Sequence, residues 1–199
     1  MNGENQMNHC MLEVSTPANS LRGFPEERII AIECVFFDPE TGGIGQQYYR
    51  VVNIADENNV VHMSHAYFRQ LMMADSRVRS AVLAGDVSEK EAVMDVCKFI
   101  SANTSKSRQL HCWQHGDGTS LARLIMAVED YGCSPSNVLP QNIKPAHLST
   151  LITVAAATGY VPHPRRDSAQ FTLTDAAYRA EQVCEIWQRL TEQFTDLSE

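Results

Sequence analysis

The sequence predicts a mixed α/β layer fold, and three observations carry that expectation. Apolar, β-branched runs separated by turn residues open the chain; helical periodicity then replaces them; and one further strand-like run interrupts the helices. Strands first, followed by helices alternating with a strand, is the order of a mixed sheet covered by helices.

Taken in order, "HCMLEV" (His9 to Val14) is a short apolar run that reads as a first strand. It leads into "STPANSLRGFPEE", whose Pro, Asn, Ser and Gly residues mark a surface connection. "RIIAIECVFF" is rich in β-branched and aromatic residues, "DPETGGIG" supplies a turn, and "QQYYRVVNI" is strand-like again, so the chain opens on three strands that include an antiparallel hairpin. "SHAYFRQLMMADSRVRSAVLAG" reads as one or two helices. "SEKEAVMDVCKFISAN" opens with Ser88 and Glu91 in capping-box spacing and sets Val93, Val96, Cys97 and Ile100 on one face, which should pack on the sheet. "LHCW" returns to strand character. "GDGTSLARLIMAVEDYG" then places Leu121, Leu124, Ile125 and Val128 at helical spacing with Gly132 as the stop. The last long helix, "TDAAYRAEQVCEIWQRLTEQF", aligns Ala177, Ala180, Cys184 and Trp187 on one stripe.

With 199 residues, 44% of them hydrophobic and 20% charged, the chain suffices for one sizeable core, and a single domain over 1–199 is expected, its core at about 8–194. No window approaches the roughly 20 apolar residues of a membrane span, and the polar opening "MNGENQMNH" lacks the order of a secretory signal, so a cytoplasmic location is expected. Six cysteines lie far apart without a CxxC pair and fall mostly in apolar runs, as reduced core thiols do. A net charge of −8 argues against general affinity for a nucleic-acid backbone, which rests on Lys and Arg, though it leaves room for a local basic patch.

The ordered pattern resembles a known family. "AIECVFFDPETGGIGQQYYRVVNI" looks like a second and third strand with a DPETG turn, Trp113 and Gly116 match a "W..G" feature, and "LTDAAYRAEQV" matches the opening of a last helix. Together these resemble the ribonuclease-H-like 3'-5' exonucleases of the DEDDh type, and most closely their phage and prophage exodeoxyribonuclease VIII-like branch, over residues 8–190 or so. The resemblance implies a ribonuclease-H-like mixed sheet with three antiparallel first strands. It also implies hydrolysis of nucleic-acid ends by two divalent ions, Mg²⁺ or Mn²⁺, held ~4 Å apart by carboxylates, with a histidine as base.

Residue by residue, the implied site departs from that pattern. The Asp-x-Glu pair of the first strand falls on Glu13 and Ser15, which share a face as i and i+2. The third carboxylate position falls on Ser120, with His115 and Thr119 at the preceding places of the motif; Asp117, in the loop, substitutes only if that loop bends inward. The last pair, a histidine five residues before an aspartate, falls on Gln170 and Asp175. The remnant catalytic and metal residues are thus Glu13 and Asp175, with Asp117 as a further metal ligand. Two carboxylates hold hard divalent ions weakly, so the site reads as degraded.

Each candidate has a plainer reading. Glu13 on an apolar strand fits an edge residue facing solvent. Asp175 in a first helical turn is favoured by the helix dipole, with Thr174 as N-cap. His111 and His115, four residues apart in a strand, stand ~13 Å from each other, too far to share one ion. His147 reads as a loop or helix-start residue. "HPRRD" offers Arg165 and Arg166 as phosphate-holding groups or as a solvated loop. Three function classes follow: an altered metal-dependent 3'-5' exonuclease, a non-catalytic relative that binds nucleic-acid ends or a partner protein, and a purely structural protein.

Overall fold

A computed structural model describes residues 7–16, 28–54, 69, 71–105, 107–165 and 172–196. Five strands form one mixed sheet: β1 (His9–Ser15), β2 (Ala31–Asp38), β3 (Gly43–Val51), β4 (Leu110–Gln114) and β5 (Ile143–His147), in the order β3-β2-β1-β4-β5. The first three are antiparallel neighbours, whereas β4 runs parallel to β1 and β5 parallel to β4. The described helices are α1 (Ser76–Leu83), α2 (Glu89–Asn103), α3 (Ser120–Asp130), α4 (Pro135–Val138), α5 (Leu148–Ala156) and α6 (Ala176–Asp196).

Strand alternation divides the core into two layers. Cys10, Leu12 and Val14 of β1 join Ile32, Cys34 and Phe36 of β2 beneath α2 and α3, where Val93, Val96, Cys97, Ile100, Leu124 and Val128 are buried. Met11, Val35, Phe37 and Trp113 point the other way, onto Leu148 and Ala155 of α5 and onto Ala176, Ala180, Val183 and Ile186 of α6. The expected α6 stripe is rotated slightly, so that Ala177 and Trp187 lie half-buried at its margin.

Local chemistry sets the boundaries. The Ser88 hydroxyl accepts from Glu91 N–H and the Glu91 carboxylate accepts from Ser88 N–H, which completes the expected capping box. In the DPETG turn the Asp38 carboxylate accepts from Glu40 N–H and from the Thr41 hydroxyl, and Gly42 takes φ +74°, a region open to glycine. All six cysteines are free thiols, five of them buried. The expected helical span before α1 lies largely outside the described residues. No helix among the described residues is long and apolar enough to cross a membrane.

"IKPAH" forms the edge strand β5; Pro145 is tolerated there because an edge strand leaves one side of its backbone unpaired. His147, its last residue, is the N-cap of α5, in keeping with the helix-start reading. One local expectation is revised: Thr174 is not the cap of α6. Arg179 N–H donates to the Asp175 carbonyl at 2.9 Å, which makes Asp175 the head of the helix, while the Thr174 hydroxyl donates to Glu33.

Candidate functional site

The strand alternation that turns Met11 toward α6 also turns Glu13 toward it, and in β2 it does the same for Glu33. Glu13 and Glu33 are direct partners in the antiparallel β1–β2 register, so two carboxylates stand side by side where the N-terminus of α6 meets the sheet. The Glu13 carboxylate accepts from Asp175 N–H at 2.8 Å. That of Glu33, only 4% exposed, accepts from Ala176 N–H at 3.2 Å and from the Thr174 hydroxyl. Free N–H groups at a helix start carry partial positive charge, and both carboxylates serve as their acceptors. Glu13 is therefore not a solvent-facing edge residue.

Asp175 completes a cluster of three acids drawn from β1, β2 and the head of α6. Two arginines face it. Arg179, one turn into α6, brings Nε to 2.5 Å from Glu13 Oε1 and Nη2 to 3.9 Å from Asp175 Oδ2, and Arg165 forms an ion pair with the other Asp175 oxygen. The contact of Arg179 Nε with Glu13 is electrostatic and lies off hydrogen-bonding geometry. Burial, the leading cause, pushes both glutamates above the ordinary carboxylate range. Asp175 N–H and Arg179 pull Glu13 back, as the Thr174 hydroxyl and Ala176 N–H pull Glu33. The His115 imidazole is held below its usual range by burial first and by the Arg179 charge second, which sets it within electrostatic reach of the cluster.

The remaining sequence candidates fall as follows. Ser15 ends β1, where its carbonyl accepts from Ile30 N–H at 2.8 Å. Ser120, buried at the start of α3, accepts from Val14 N–H at 3.3 Å, a group with no strand partner because the β1–β4 ladder ends at Met11. Asp117 is exposed and turned to its own loop, accepting from the Thr119 hydroxyl at 2.7 Å and pairing with Arg123 at 3.3 Å. His111 stacks on His9, with ring centroids 4.9 Å apart, rather than pairing with His115. Arg166 and Gln170 lie outside the described residues. Among the described residues no group of three or more His, Cys, Asp or Glu side chains is arranged to hold a metal ion.

Sequence reasoning passed over Glu33 and Arg179. Arg179 is four residues past Asp175, the spacing at which helical side chains meet, and that signal was present. A lone acid in the apolar run "RIIAIECVFF" signals a buried, partnered carboxylate, although its partners come from the far end of the chain.

The sheet, with its antiparallel three-stranded start and parallel continuation flanked by helices, has a ribonuclease-H-like fold shared with solved DEDDh exonucleases. Over 93% of its length the chain superposes on the nuclease domain of 3'hExo, a DEDDh family member, bound to rAMP, with a TM-score of 0.52, 10% identity and 92% of that chain covered. A full-length 3'-exonuclease gives a TM-score of 0.50 at 12% identity, with 93% of this chain and 81% of that one covered. Within this fold, residues 8–187 match the family model described as the Rv2179c-like 3'-5' exoribonuclease domain, and the chain belongs to that family. No curated protein sequence matches it.

Proposed function

We propose that this protein is a nucleic-acid-binding member of the exoribonuclease-like family in which metal-dependent cleavage has become weak or absent. One observation carries the reading: the two carboxylates that remain of the implied metal set, Glu13 and Asp175, are engaged by Arg179 and Arg165 and by a helix N–H. A two-ion centre needs several unpaired oxygen ligands whose negative charge exceeds that of their surroundings. Here Ser15 and Ser120 contribute neutral hydroxyls, Asp117 is turned to Arg123, and the donor set does not fit such a centre.

The DPETG turn, the Trp113–Gly116 feature and the "LTDAAYRAEQV" helix start support placing the chain in the phage and prophage exodeoxyribonuclease VIII-like branch. On that placement the protein acts as an accessory factor at nucleic-acid ends, and Arg165 and Arg166 supply its contact with phosphate. A partner protein that docks on the same domain is the second reading, favoured by the net charge of −8.

Hydrolysis of end-labelled single-stranded RNA and DNA with Mn²⁺, run beside Glu13→Ala/Asp175→Ala, tests the proposal. Wild type should shorten the oligonucleotides little or no faster than the control; rapid, complete stepwise shortening from the 3' end that vanishes in the control would refute it. Fluorescence anisotropy on the same oligonucleotides should show salt-sensitive binding that Arg165→Ala/Arg166→Ala weakens about tenfold. Salt-insensitive or undetectable binding would turn the reading to a protein partner.

A further inference from the structure

We propose that Arg179 is a resident counter-cation: its guanidinium neutralises the Glu13 and Asp175 carboxylates in the way a divalent ion otherwise would, closes the cluster to Mg²⁺ and Mn²⁺, and ties α6 to β1. This deepens the functional reading above and rests on it.

Three features of the cluster support the assignment. First, the Arg179 side chain is only 21% exposed, so the charge is largely withdrawn from water, and an arginine stays protonated under such conditions where a lysine does not. Second, its two contacts go to carboxylates from different elements, Glu13 on β1 and Asp175 at the head of α6, with the Glu13 side chain itself only 15% exposed. A bridging cation there fixes the helix start against the sheet, the same mechanical task a shared ion performs. Third, without Arg179 the cluster would hold Glu13, Glu33 and Asp175 against Arg165 alone among the described residues, and two of those acids are adjacent in register. Like charges so placed repel strongly at low effective dielectric.

The chemical consequence is specific. A guanidinium is monovalent, has no vacant coordination position and cannot acidify a bound water, so it supplies the electrostatic part of an ion's role without its hydrolytic part. It also cannot be removed by a chelator.

The test measures Mn²⁺ directly, by the electron paramagnetic resonance signal of free Mn²⁺ during titration of the purified protein without nucleic acid. Wild type should take up no saturable Mn²⁺ below about 1 mM, and its melting temperature should not change with EDTA. Arg179→Met, verified as folded by circular dichroism, should bind Mn²⁺ at least tenfold more tightly than wild type, and Glu13→Gln/Arg179→Met should lose that gain. Wild-type uptake as tight as that of Arg179→Met, or a folded Arg179→Met with no gain, overturns the inference. Should Arg179→Met not fold, the double variant decides: removing both charges together leaves neither Glu13 nor Arg179 buried without its partner, so Glu13→Gln/Arg179→Met should recover folding. If it is no more stable than Arg179→Met, Glu13 is not the partner that Arg179 serves. Hydrolysis by wild type without Mn²⁺ uptake at this cluster would undo the functional reading alone, whereas a folded Arg179→Met that takes up no Mn²⁺ would undo this inference alone.

Discussion

Lowering the pH from 7 to 5 should destabilise this protein through His9, and the size of the effect follows from the ring's surroundings. His9 opens β1 and is stacked against His111, with Trp187 edge-on at 5.9 Å between ring centroids. Trp113 Nε1 donates to His9 Nδ1 at 3.0 Å. An indole nitrogen only donates, so Nδ1 must hold a lone pair and the ring is neutral in the folded state. Burial, and after it the charge of His111, lowers the His9 pKa to about 4, with Asp38 opposing. The unfolded imidazole near 6.5 therefore binds a proton that the folded one refuses, and stability falls as pH drops through 6.5 toward 4.

At pH 5 the unfolded ring is almost fully protonated and the folded ring only about a tenth so. Linkage makes this worth about 2 kcal/mol, which solvent at the open part of the ring reduces to about 1 kcal/mol. Urea unfolding followed by tryptophan fluorescence at pH 7, 6 and 5 measures it in wild type and in His9→Gln, whose amide accepts from Trp113 but does not titrate. Wild type should lose about 1 kcal/mol more than the variant between pH 7 and 5. Parallel pH dependences in the two proteins would refute the buried neutral histidine.

Two further expectations concern the site. Glu33→Ala strands the Thr174 hydroxyl and the Ala176 N–H and should cost about 2–3 kcal/mol in urea unfolding, whereas Glu33→Gln, which keeps an acceptor, should cost about 1 kcal/mol; equal losses would mean the carboxylate is not their acceptor. Ser120→Ala removes the acceptor of the Val14 N–H and should cost about 1–2 kcal/mol, with faster amide exchange at Val14; unchanged exchange there would show that the hydroxyl does not hold it.

Local rules read the early strands, the capping box of α2 and the stripe of α6 because each is set by residues adjacent in sequence: a period, a turn, a cap. β5 escaped because "IKPAH" has a proline and little apolar content, features that only its edge position excuses. The site was half legible. Glu13, Asp175 and the hydroxyls at 15 and 120 came from matching a motif in order. Glu33 announced burial as a lone acid in an apolar run, but its partners were not legible, because they depend on the β1–β2 register and on donors about 140 residues away. Arg179 was the avoidable omission, since its pairing with Asp175 is an i,i+4 contact on one helix.

Under the proposed reading, the serines and the arginine belong to one change. Glu13, Glu33 and Asp175 carry three negative charges if all are ionised, Arg165 and Arg179 carry two positive ones, and the N-terminus of α6 adds a partial positive charge through the N–H groups of Asp175 and Ala176. That cluster is close to neutral. Restoring carboxylates at 15 and 120 would add two negative charges beside a cluster already close to neutral, where Arg123, which donates to the Thr16 hydroxyl, is already paired with Asp117. Conversely, with Arg179 in place, an acid at 120 would still offer the Val14 N–H an acceptor but would raise the local charge with no metal to absorb it. A neutral serine at 15 is compatible with a cluster neutralised by arginine. The pairing makes a directional claim: Ser15→Glu or Ser120→Asp alone should destabilise the protein, and each should be tolerated better once Arg179→Met is present and Mn²⁺ is supplied. If either single carboxylate is fully accommodated with Arg179 in place, the serines and the arginine are independent and the coupled account fails.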